Sequence, residues 1–198
     1  AFDLMPNGSI LMSLDAAQNV PGLGQVTPQD IIRFAPTSLG ANTAGSFLWF
    51  LDGSDVGLTT AGEKIDAIII RVDVQQPLLI SLSGAGSAPR QSGGNLTIAD
   101  EDLINFVGVT YGANSAGAWR MNTDGSTVPG MAGEDLFAAE WLARVPARLS
   151  RQLFGFDSAF VINGVKGTPR DVLYADDGLA VKNLTTKPID AIAIGPAR

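Results

Sequence analysis

The chain has 198 residues, a formal net charge of −7, and neither histidine nor cysteine. The two absences exclude catalytic triads and dyads that need imidazole or thiolate, histidine or cysteine metal sites, and disulfides. The acidic balance, with a pI of about 4.4, argues against a nucleic-acid partner, because neutralising phosphates needs clustered Lys and Arg. No stretch reaches the ~18 apolar residues of a membrane-spanning helix, so no membrane span is predicted.

Composition predicts a folded chain built from strands. Hydrophobic residues make up 45% of the sequence and charged residues 17%, the latter below the ~25% typical of soluble domains. The 23 glycines and 11 prolines are scattered along the chain, which favours many short strands joined by turns. An all-β fold class is therefore expected.

The strongest signal in the sequence is an internal repeat. LGANTAG at Leu39–Gly45 recurs as YGANSAG at Tyr111–Gly117, an offset of 72 residues (111 − 39). Two further pairs of segments keep this offset, Pro28–Phe34 with Asp100–Phe106 and Asp52–Ser54 with Asp124–Ser126. One offset held through three motifs indicates tandem copies of one structural unit.

Three units are expected, at about residues 8–74, 75–145 and 146–198, the last one degenerate. Together they form a single repeat-built β domain over residues 1–198. The first unit predicts four strands, at Ser9–Leu14, Asp30–Ala35, Ser46–Leu51 and Ile65–Val72. The segment Phe2–Met5 is interpreted as a remnant of the last of these strands from a preceding copy.

The segment Glu134–Val145 gives two conflicting signals. Its own composition, with Ala, Leu, Glu and Arg throughout, favours a helix. Its repeat partner, Glu63–Val74, is rich in β-branched residues and favours a strand. Because equivalent segments of a repeat adopt equivalent structures, a strand is predicted for both.

Four antiparallel strands in ~60–70 residues match the size of a propeller blade. The expected architecture is therefore a series of tandem, four-stranded antiparallel units that resemble β-propeller blades. A compact three-sheet prism and a linear β array remain open as alternatives, because the repeat alone does not say how the units are arranged.

Part of the repeat resembles a known pattern. The segments Asp30–Gly40, Asp52–Leu58 (DGSDVGL) and Ile65–Ile68 (IDAI) resemble a tandem repeat of predicted secreted or surface proteins of environmental bacteria. The resemblance covers nearly all of residues 8–71, fades over 76–145 and is partial beyond. It implies export, an extracellular or cell-surface location and β-rich modules, and it carries no established catalytic residues.

Aspartates cluster at turns in each unit and allow two interpretations. Asp52 and Asp55 lie close together in the first copy, Asp124 keeps only one position in the second, and Asp176 and Asp177 stand in the third. Such residues often cap backbone amides in a tight turn, and this interpretation comes first. Closely spaced carboxylates also suit calcium, which is the only cofactor considered.

Paired acids recur at one repeat position, Glu63 with Asp66 and Glu134 with Asp135. Glycoside hydrolysis needs two carboxylates and no histidine, so this chemistry stays open as a minor alternative. A position that recurs in every unit rarely marks a unique active site, however. Solvated strand ends are the favoured interpretation, no catalytic residue is predicted, and the protein is expected not to be an enzyme.

The three tryptophans are candidates for core or for binding. Trp49 and Trp119 lie near the ends of equivalent strands, and Trp141 lies in the helix-like segment. Buried, they would fill the core between stacked sheets. Exposed, they would form a surface for stacking sugars or for contacting another subunit.

These features favour a structural, self-assembling or adhesive role outside the cell. Each four-stranded unit has sheet edges that need cover, and stacking covers them. Three units with unequal ends leave one surface uncovered, which predicts a homo-oligomer, a polymer or contact with other surface proteins. A carbohydrate-binding module with glycan partners is the alternative, and a carboxylate-based glycan hydrolase comes third.

Overall fold

The computed structural model describes residues 1–71, 78–142, 151–175 and 179–183. Its regular structure consists of short strands and three 3-10 turns, at Ser54–Val56, Ala61–Glu63 and Gly125–Thr127. The predicted all-β class is confirmed. Across these described ranges, no helix is long and apolar enough to cross a bilayer.

The strands fall into three successive groups, called here the first, second and third units. The first unit contains β1 (Phe2–Leu4), β2 (Ile10–Met12), β3 (Gln18–Val20), β4 (Gly24–Val26), β5 (Ile31–Ser38) and β6 (Ala44–Leu51). The second unit contains β7 (Ile65–Ile70), β8 (Leu78–Leu82), β9 (Gly86–Pro89), β10 (Asn95–Ile98), β11 (Leu103–Thr110) and β12 (Ala116–Thr123). The third unit contains β13 (Ala138–Leu142), β14 (Arg151–Gly155), β15 (Phe160–Ile162), β16 (Val165–Gly167), β17 (Asp171–Ala175) and β18 (Leu179–Asn183).

Every unit has the same topology. Four strands form an antiparallel meander, with the orders β1-β2-β5-β6, β7-β8-β11-β12 and β13-β14-β17-β18. A two-stranded hairpin is inserted between the second and third strands of each meander, as β3–β4, β9–β10 and β15–β16. The four-stranded antiparallel sheets agree with the repeat. The inserted hairpins were not predicted, because strands of only three or four residues give little sequence signal.

The sheets begin at a different point of the repeat from the predicted units. The strand Ile65–Ile70 was expected to end the first unit, but it pairs with Leu78–Leu82 and therefore begins the second sheet. In the same way Phe2–Leu4 begins the first sheet and Ala138–Leu142 begins the third. A sequence repeat fixes the period but not the point at which one sheet ends.

Residues 138–142 of the segment with helix-like composition form a strand, whereas residues 134–137 are irregular. Ala138–Leu142 pairs antiparallel with Arg151–Gly155, and Ala139 lies opposite Phe154. Residues 143–145, the remainder of the predicted segment, lie outside the described residues. Tertiary pairing here outweighs the local helix propensity of Ala, Leu and Glu, as expected for a weak intrinsic preference.

The sheets stack face to face through one recurring contact. We call the side of the first sheet that carries Leu11 and Ile31 its front face, and the side that carries Met12 and Ile32 its back face; the same terms apply to equivalent sides of the other sheets. One core cluster joins the front face of the first sheet to the back face of the second sheet, and Ile80 is one of the back-face residues in this cluster. A second cluster joins the front of the second sheet to the back of the third.

Candidate interaction surface

Strand pairing fixes which residues of the first two sheets are equivalent. In each sheet, one row of residues crosses the back face from the first strand to the fourth. In the first sheet this row is Phe2, Met12, Ile32 and Trp49, and in the second it is Ile68, Ile80, Ile104 and Met121. An adjacent pair, Phe34 opposite Phe47, corresponds to Phe106 opposite Trp119. The two back faces are therefore copies of one surface.

The two copies differ in burial. On the second sheet Ile68 is 2% exposed, and both Phe106 and Trp119 are fully buried, because the first sheet covers them. On the first sheet Phe2 is 42% exposed and Leu4 is 37% exposed. Phe34, Phe47, Met12 and Trp49 are only partly buried. The back face of the first sheet is thus an apolar surface that is partly open in the part of the chain that the structure describes.

The inserted hairpin covers part of this back face. Val20 and Val26 of β3–β4 are buried against Ile32, with Leu14 and Leu23 beside them. In the second unit, Leu96 and Ile98 of β9–β10 join the corresponding cluster. The hairpin covers part of the back face in both units, and its cluster in the first unit also contacts Phe47 and Trp49 of the fourth strand. The most exposed apolar side chains of this face are therefore Phe2 and Leu4 of the first strand.

A second contact between units involves the turn that joins β11 to β12. This turn, residues 110–116, lies against the segment 50–56 of the first unit, and we call it the clasp turn. Four hydrogen bonds hold the contact: Gly112 N to Phe50 O at 2.9 Å, Asp52 N to Ser115 Oγ at 3.0 Å, Ser115 N to Asp55 Oδ2 at 3.0 Å, and Trp119 Nε1 to Val56 O at 2.9 Å. Three of these bonds join the second unit to the loop that follows the first sheet, and the bond to Phe50 joins it to β6 itself.

The Asp-rich loops form turns. Asp52 Oδ1 accepts hydrogen bonds from Ser54 N at 3.1 Å and Ser54 Oγ at 2.7 Å, and Asp124 Oδ1 accepts one from Ser126 Oγ at 2.5 Å. Asp55 is used by the clasp turn. Asp176 and Asp177 lie outside the described residues. Within the described part of the chain, no three acidic side chains are grouped so that they could hold a metal ion.

A different aspartate, which the sequence analysis did not single out, anchors these turns. The Asp30 carboxylate accepts a hydrogen bond from Gly53 N at 2.9 Å through Oδ1 and from Thr27 N at 2.7 Å through Oδ2. Asp102 does the same in the second unit, with Gly125 N at 2.9 Å and Ala99 N at 2.8 Å. The sequence did contain a signal for this anchor, because an aspartate stands at the equivalent position of all three copies, as Asp30, Asp102 and Asp171.

Glycine is required where this anchor meets the loop. A Cβ on Gly53 would lie 2.2 Å from Gln29 O, and one on Gly125 would lie 2.5 Å from Glu101 O. Neither backbone oxygen can move aside as the end of a flexible side chain could. The Asp-Gly dipeptide therefore recurs for two reasons. The carboxylate of Asp52 or Asp124 accepts hydrogen bonds within the turn, and the glycine lets the chain pass close to the loop that contains Gln29 or Glu101.

The tryptophans do not share one surface. Trp119 is fully buried between the first and second sheets, as the core interpretation predicts. Trp49 is half-buried on the back face of the first sheet. Trp141 is half-buried on the third sheet, with the Arg71 guanidinium carbon 3.7 Å from its ring centroid, a cation–π geometry.

Glu63 corrects the expectation of a solvated strand end. Its side chain is buried and accepts hydrogen bonds from Thr59 N and Thr60 N, both at 2.6 Å, and from Ser87 N at 2.9 Å. Burial acts to raise the pKa of Glu63, but these hydrogen bonds outweigh it and hold the pKa below its usual value. Glu63 thus ties the segment between the sheets to the hairpin β9–β10.

One acid from each predicted pair lies beside an acid of the other pair, across two units. Asp66 lies at the start of the second sheet, and Asp135 precedes the third. Burial, reinforced by the neighbouring charge of Asp135, raises the pKa of Asp66 to about 9. Both carboxyl oxygens of Asp66 and Oδ1 of Asp135 are buried and have no hydrogen-bond partner in the described structure. Two neighbouring buried carboxyl groups resist ionising together, so burial raises the pKa of Asp135 as well.

The acid pair borders a small open pocket. Both Asp66 oxygens and Asp135 Oδ1 are closed to solvent, although Asp66 and Asp135 are each only half-buried. The nearby open pocket, lined by residues that include Leu14, Lys64, Asp66 and Phe137, has a volume of about 160 Å³. Typical ligand pockets are about 300–1,000 Å³. Glu134, the other acid of its predicted pair, instead accepts a hydrogen bond from Ser158 Oγ at 2.8 Å.

Known proteins give no direct guide to function here. Comparison of the chain with protein-family models, curated proteins and solved structures finds no match. Function is therefore inferred from the geometry of the described residues, and the open back face of the first sheet is the surface that differs most from its copies.

Proposed function

We propose that the protein is a non-enzymatic structural module of the cell exterior or surface, whose work is to associate with a second copy of itself. The observation that supports this proposal is the open back face of the first sheet. Its equivalent on the second sheet is buried, with Trp119 and Phe106 fully covered. A surface built to the pattern of an interface, but left uncovered, favours a protein partner.

The apolar side chains on this face provide a driving force for association. Burying a Leu or Phe side chain completely contributes roughly 1.5–3 kcal/mol, and Phe2, Leu4, Phe34 and Phe47 are all partly exposed. Association costs an estimated ~4–15 kcal/mol in lost freedom. The gain and the cost are of similar size, so the association is expected to depend on protein concentration.

Sedimentation velocity over a dilution series tests the proposal. We expect the sedimentation coefficient to rise with concentration and to stay above the monomer value at the concentrated end. A single monomeric species across the whole series would contradict it. Binding of a glycan by the monomer in the same samples would support the carbohydrate-binding alternative.

A further inference from the structure

The open back face of the first sheet has the aromatic arrangement of a packed sheet face. The Phe34 ring lies beside that of Phe47, with centroids 5.1 Å apart and an interplanar angle of 45°. The buried counterparts on the second sheet, Phe106 and Trp119, have ring centroids 4.9 Å apart and an angle of 48°. The aromatic pair of the open face is therefore already in the arrangement that its copy has beneath another sheet.

A glycine keeps each aromatic pair close to its sheet. A Cβ on Gly45 would lie 2.6 Å from Cζ of Phe34, and one on Gly117 would lie 2.7 Å from Cζ of Phe106. The missing side chain thus leaves room for the phenylalanine ring to lie across the neighbouring strand. An apolar face whose rings are already placed loses little freedom when a second face covers it.

The open back face carries no charged side chain. The sequence from Phe2 to Leu51 contains four charged residues, Asp3, Asp15, Asp30 and Arg33. Asp3 and Arg33 both lie opposite Leu11, on the front face. Asp30 is buried, and Asp15 is paired with Lys64 of the second unit. The hairpin β3–β4, which borders the open face, is also uncharged.

An uncharged face suits a second copy of this acidic chain. Two molecules that each carry a net charge of −7 repel each other, and like charges brought together within an interface are costly. A contact between faces without charged side chains leaves those charges outside the interface, where salt screens them. The open face can therefore meet its own copy although the whole molecule is strongly acidic.

The front faces of the sheets are not free to act as partners. The front face of the first sheet, with Leu11, is covered by the second sheet, and that of the second sheet, with Leu79, is covered by the third. On the front face of the third sheet, Leu153 is 3% exposed and Val172 is fully buried. Among the described residues, the back face of the first sheet is thus the apolar sheet face left open. Its partner of matching polarity is the same face of another molecule.

We propose that two molecules associate through their identical open back faces, related by a twofold axis that passes close to β1. The inference rests on the proposed function and adds the partner surface and the symmetry. The axis lies near β1 because Phe2 and Leu4 are the most exposed apolar side chains of the face. Such a contact is isologous and uses the open face of both molecules, so assembly stops at a closed dimer.

The mass at high concentration distinguishes this dimer from an open chain of molecules. In light scattering, the wild-type mass should level off at twice the monomer mass of 20.6 kDa. A mass that keeps rising beyond the dimer would contradict the isologous contact and leave self-association standing. A monomer at every concentration would contradict the proposed function, and this inference with it.

Charge swaps at Leu4 test whether the same surface lies on both sides of the contact. Leu4→Lys and Leu4→Glu should each weaken dimerisation at least about tenfold, because two like charges would meet near the axis and lose their water. An equimolar mixture of the two variants should regain most of the lost affinity, since each lysine then faces a glutamate. In a front-to-back contact the partner face carries neither substitution, so the mixture would associate no better than the variants alone.

Phe2 provides a second pair of variants, and Val161 provides the matched control. Phe2→Lys mixed with Phe2→Glu should also regain affinity, because Phe2 lies two residues from Leu4 on the same strand. Val161→Lys and Val161→Glu, alone or mixed, should associate as the wild type does, since Val161 is 51% exposed on the third unit. Circular dichroism establishes that each variant keeps the fold.

Recovery of affinity in neither the Leu4 mixture nor the Phe2 mixture would overturn the inference. Charged variants at both positions that dimerise as tightly as the wild type would overturn it as well. In either case a wild-type protein that still associates would leave the proposed function standing, with a different surface on one side of the contact.

Discussion

Phe47 and Trp119 occupy the same position in successive sheets, opposite Phe34 and Phe106, yet only Trp119 is fully buried. The difference arises because the first sheet covers the second, while the first sheet has no such cover in the described chain. One apolar surface therefore exists in an occupied and an open form within a single polypeptide. The predictions that follow concern this surface and the residues that hold the units together.

Phe2→Lys should weaken self-association and leave the fold intact. Phe2 lies on the open face and is 42% exposed, so a charge there would have to be desolvated in the complex. We expect the dissociation constant from sedimentation to rise at least about tenfold, equivalent to ~1.4 kcal/mol. Val161→Lys is the control, because Val161 is 51% exposed on β15 of the third unit and away from this face. Equal weakening by both variants would contradict the assignment of the surface.

Trp119→Ala should destabilise the protein strongly. Trp119 is fully buried between the first two sheets and donates a hydrogen bond to Val56 O, and removing a buried Trp costs about 3–5 kcal/mol. Trp49→Ala, at the half-buried position on the open face, should cost clearly less. Urea unfolding followed by circular dichroism measures both. A larger loss of stability in Trp49→Ala than in Trp119→Ala would contradict the burial assigned to these two side chains.

Stability should fall as the pH rises from about 4 to 9. Burial raises the pKa of Asp3 to about 6 and that of Asp66 to about 9, while both titrate near 3.9 in the unfolded chain. Between these values the folded state binds more protons than the unfolded state, so raising the pH favours unfolding. The melting temperature should be higher at pH 5 than at pH 8. The opposite order would contradict the burial of these carboxyl groups in the folded protein.

Asp66→Asn should raise the melting temperature at pH 8 and flatten its pH dependence. The substitution removes one of two neighbouring buried carboxyl groups, so no second charge has to be buried beside Asp135 at pH 8. Asp15→Asn is a suitable control, because Asp15 is exposed and its hydrogen bond to Lys64 holds the pKa below its usual value. That variant should not share the alkaline gain. Thermal unfolding at pH 5 and pH 8 distinguishes the two.

Glu63→Ala should destabilise the junction between the first two units. The buried carboxylate accepts three backbone hydrogen bonds, and leaving buried donors unsatisfied costs about 1–3 kcal/mol each. Glu63→Gln retains one acceptor oxygen and should lose less stability than the alanine variant. Chemical unfolding measures the difference. If Glu63→Ala unfolds with the same free energy as the wild type, the carboxylate does not stabilise this junction. The expectation of a solvated strand end would then stand.

Local features of the repeat were predictable from the sequence. The offset of 72 residues implied sheets with equivalent strands, and it correctly overrode the helix-like composition around Ala138–Leu142. The turn role of Asp52 followed from the chemistry of Asp and Gly in tight turns. These properties depend on short-range geometry, which repeats whenever the sequence does.

Relationships between units were not predictable. Asp66 was paired with Glu63 because they are neighbours in sequence, but its structural partner is Asp135, 69 residues away (135 − 66). The strand Ile65–Ile70 was assigned to the preceding sheet because the repeat does not mark sheet boundaries. Burial at Phe34 and Phe106 differs although the residues are identical, since it depends on what lies on top of each sheet.

Light scattering on wild type and Phe2→Lys, side by side over one dilution series, measures the native mass and so shows whether the open face drives self-association. We expect the wild-type mass to rise above 20.6 kDa as the concentration increases, and Phe2→Lys to stay near the monomer mass under the same conditions. A wild-type protein that remains at the monomer mass throughout, or a variant that associates as the wild type does, would contradict it.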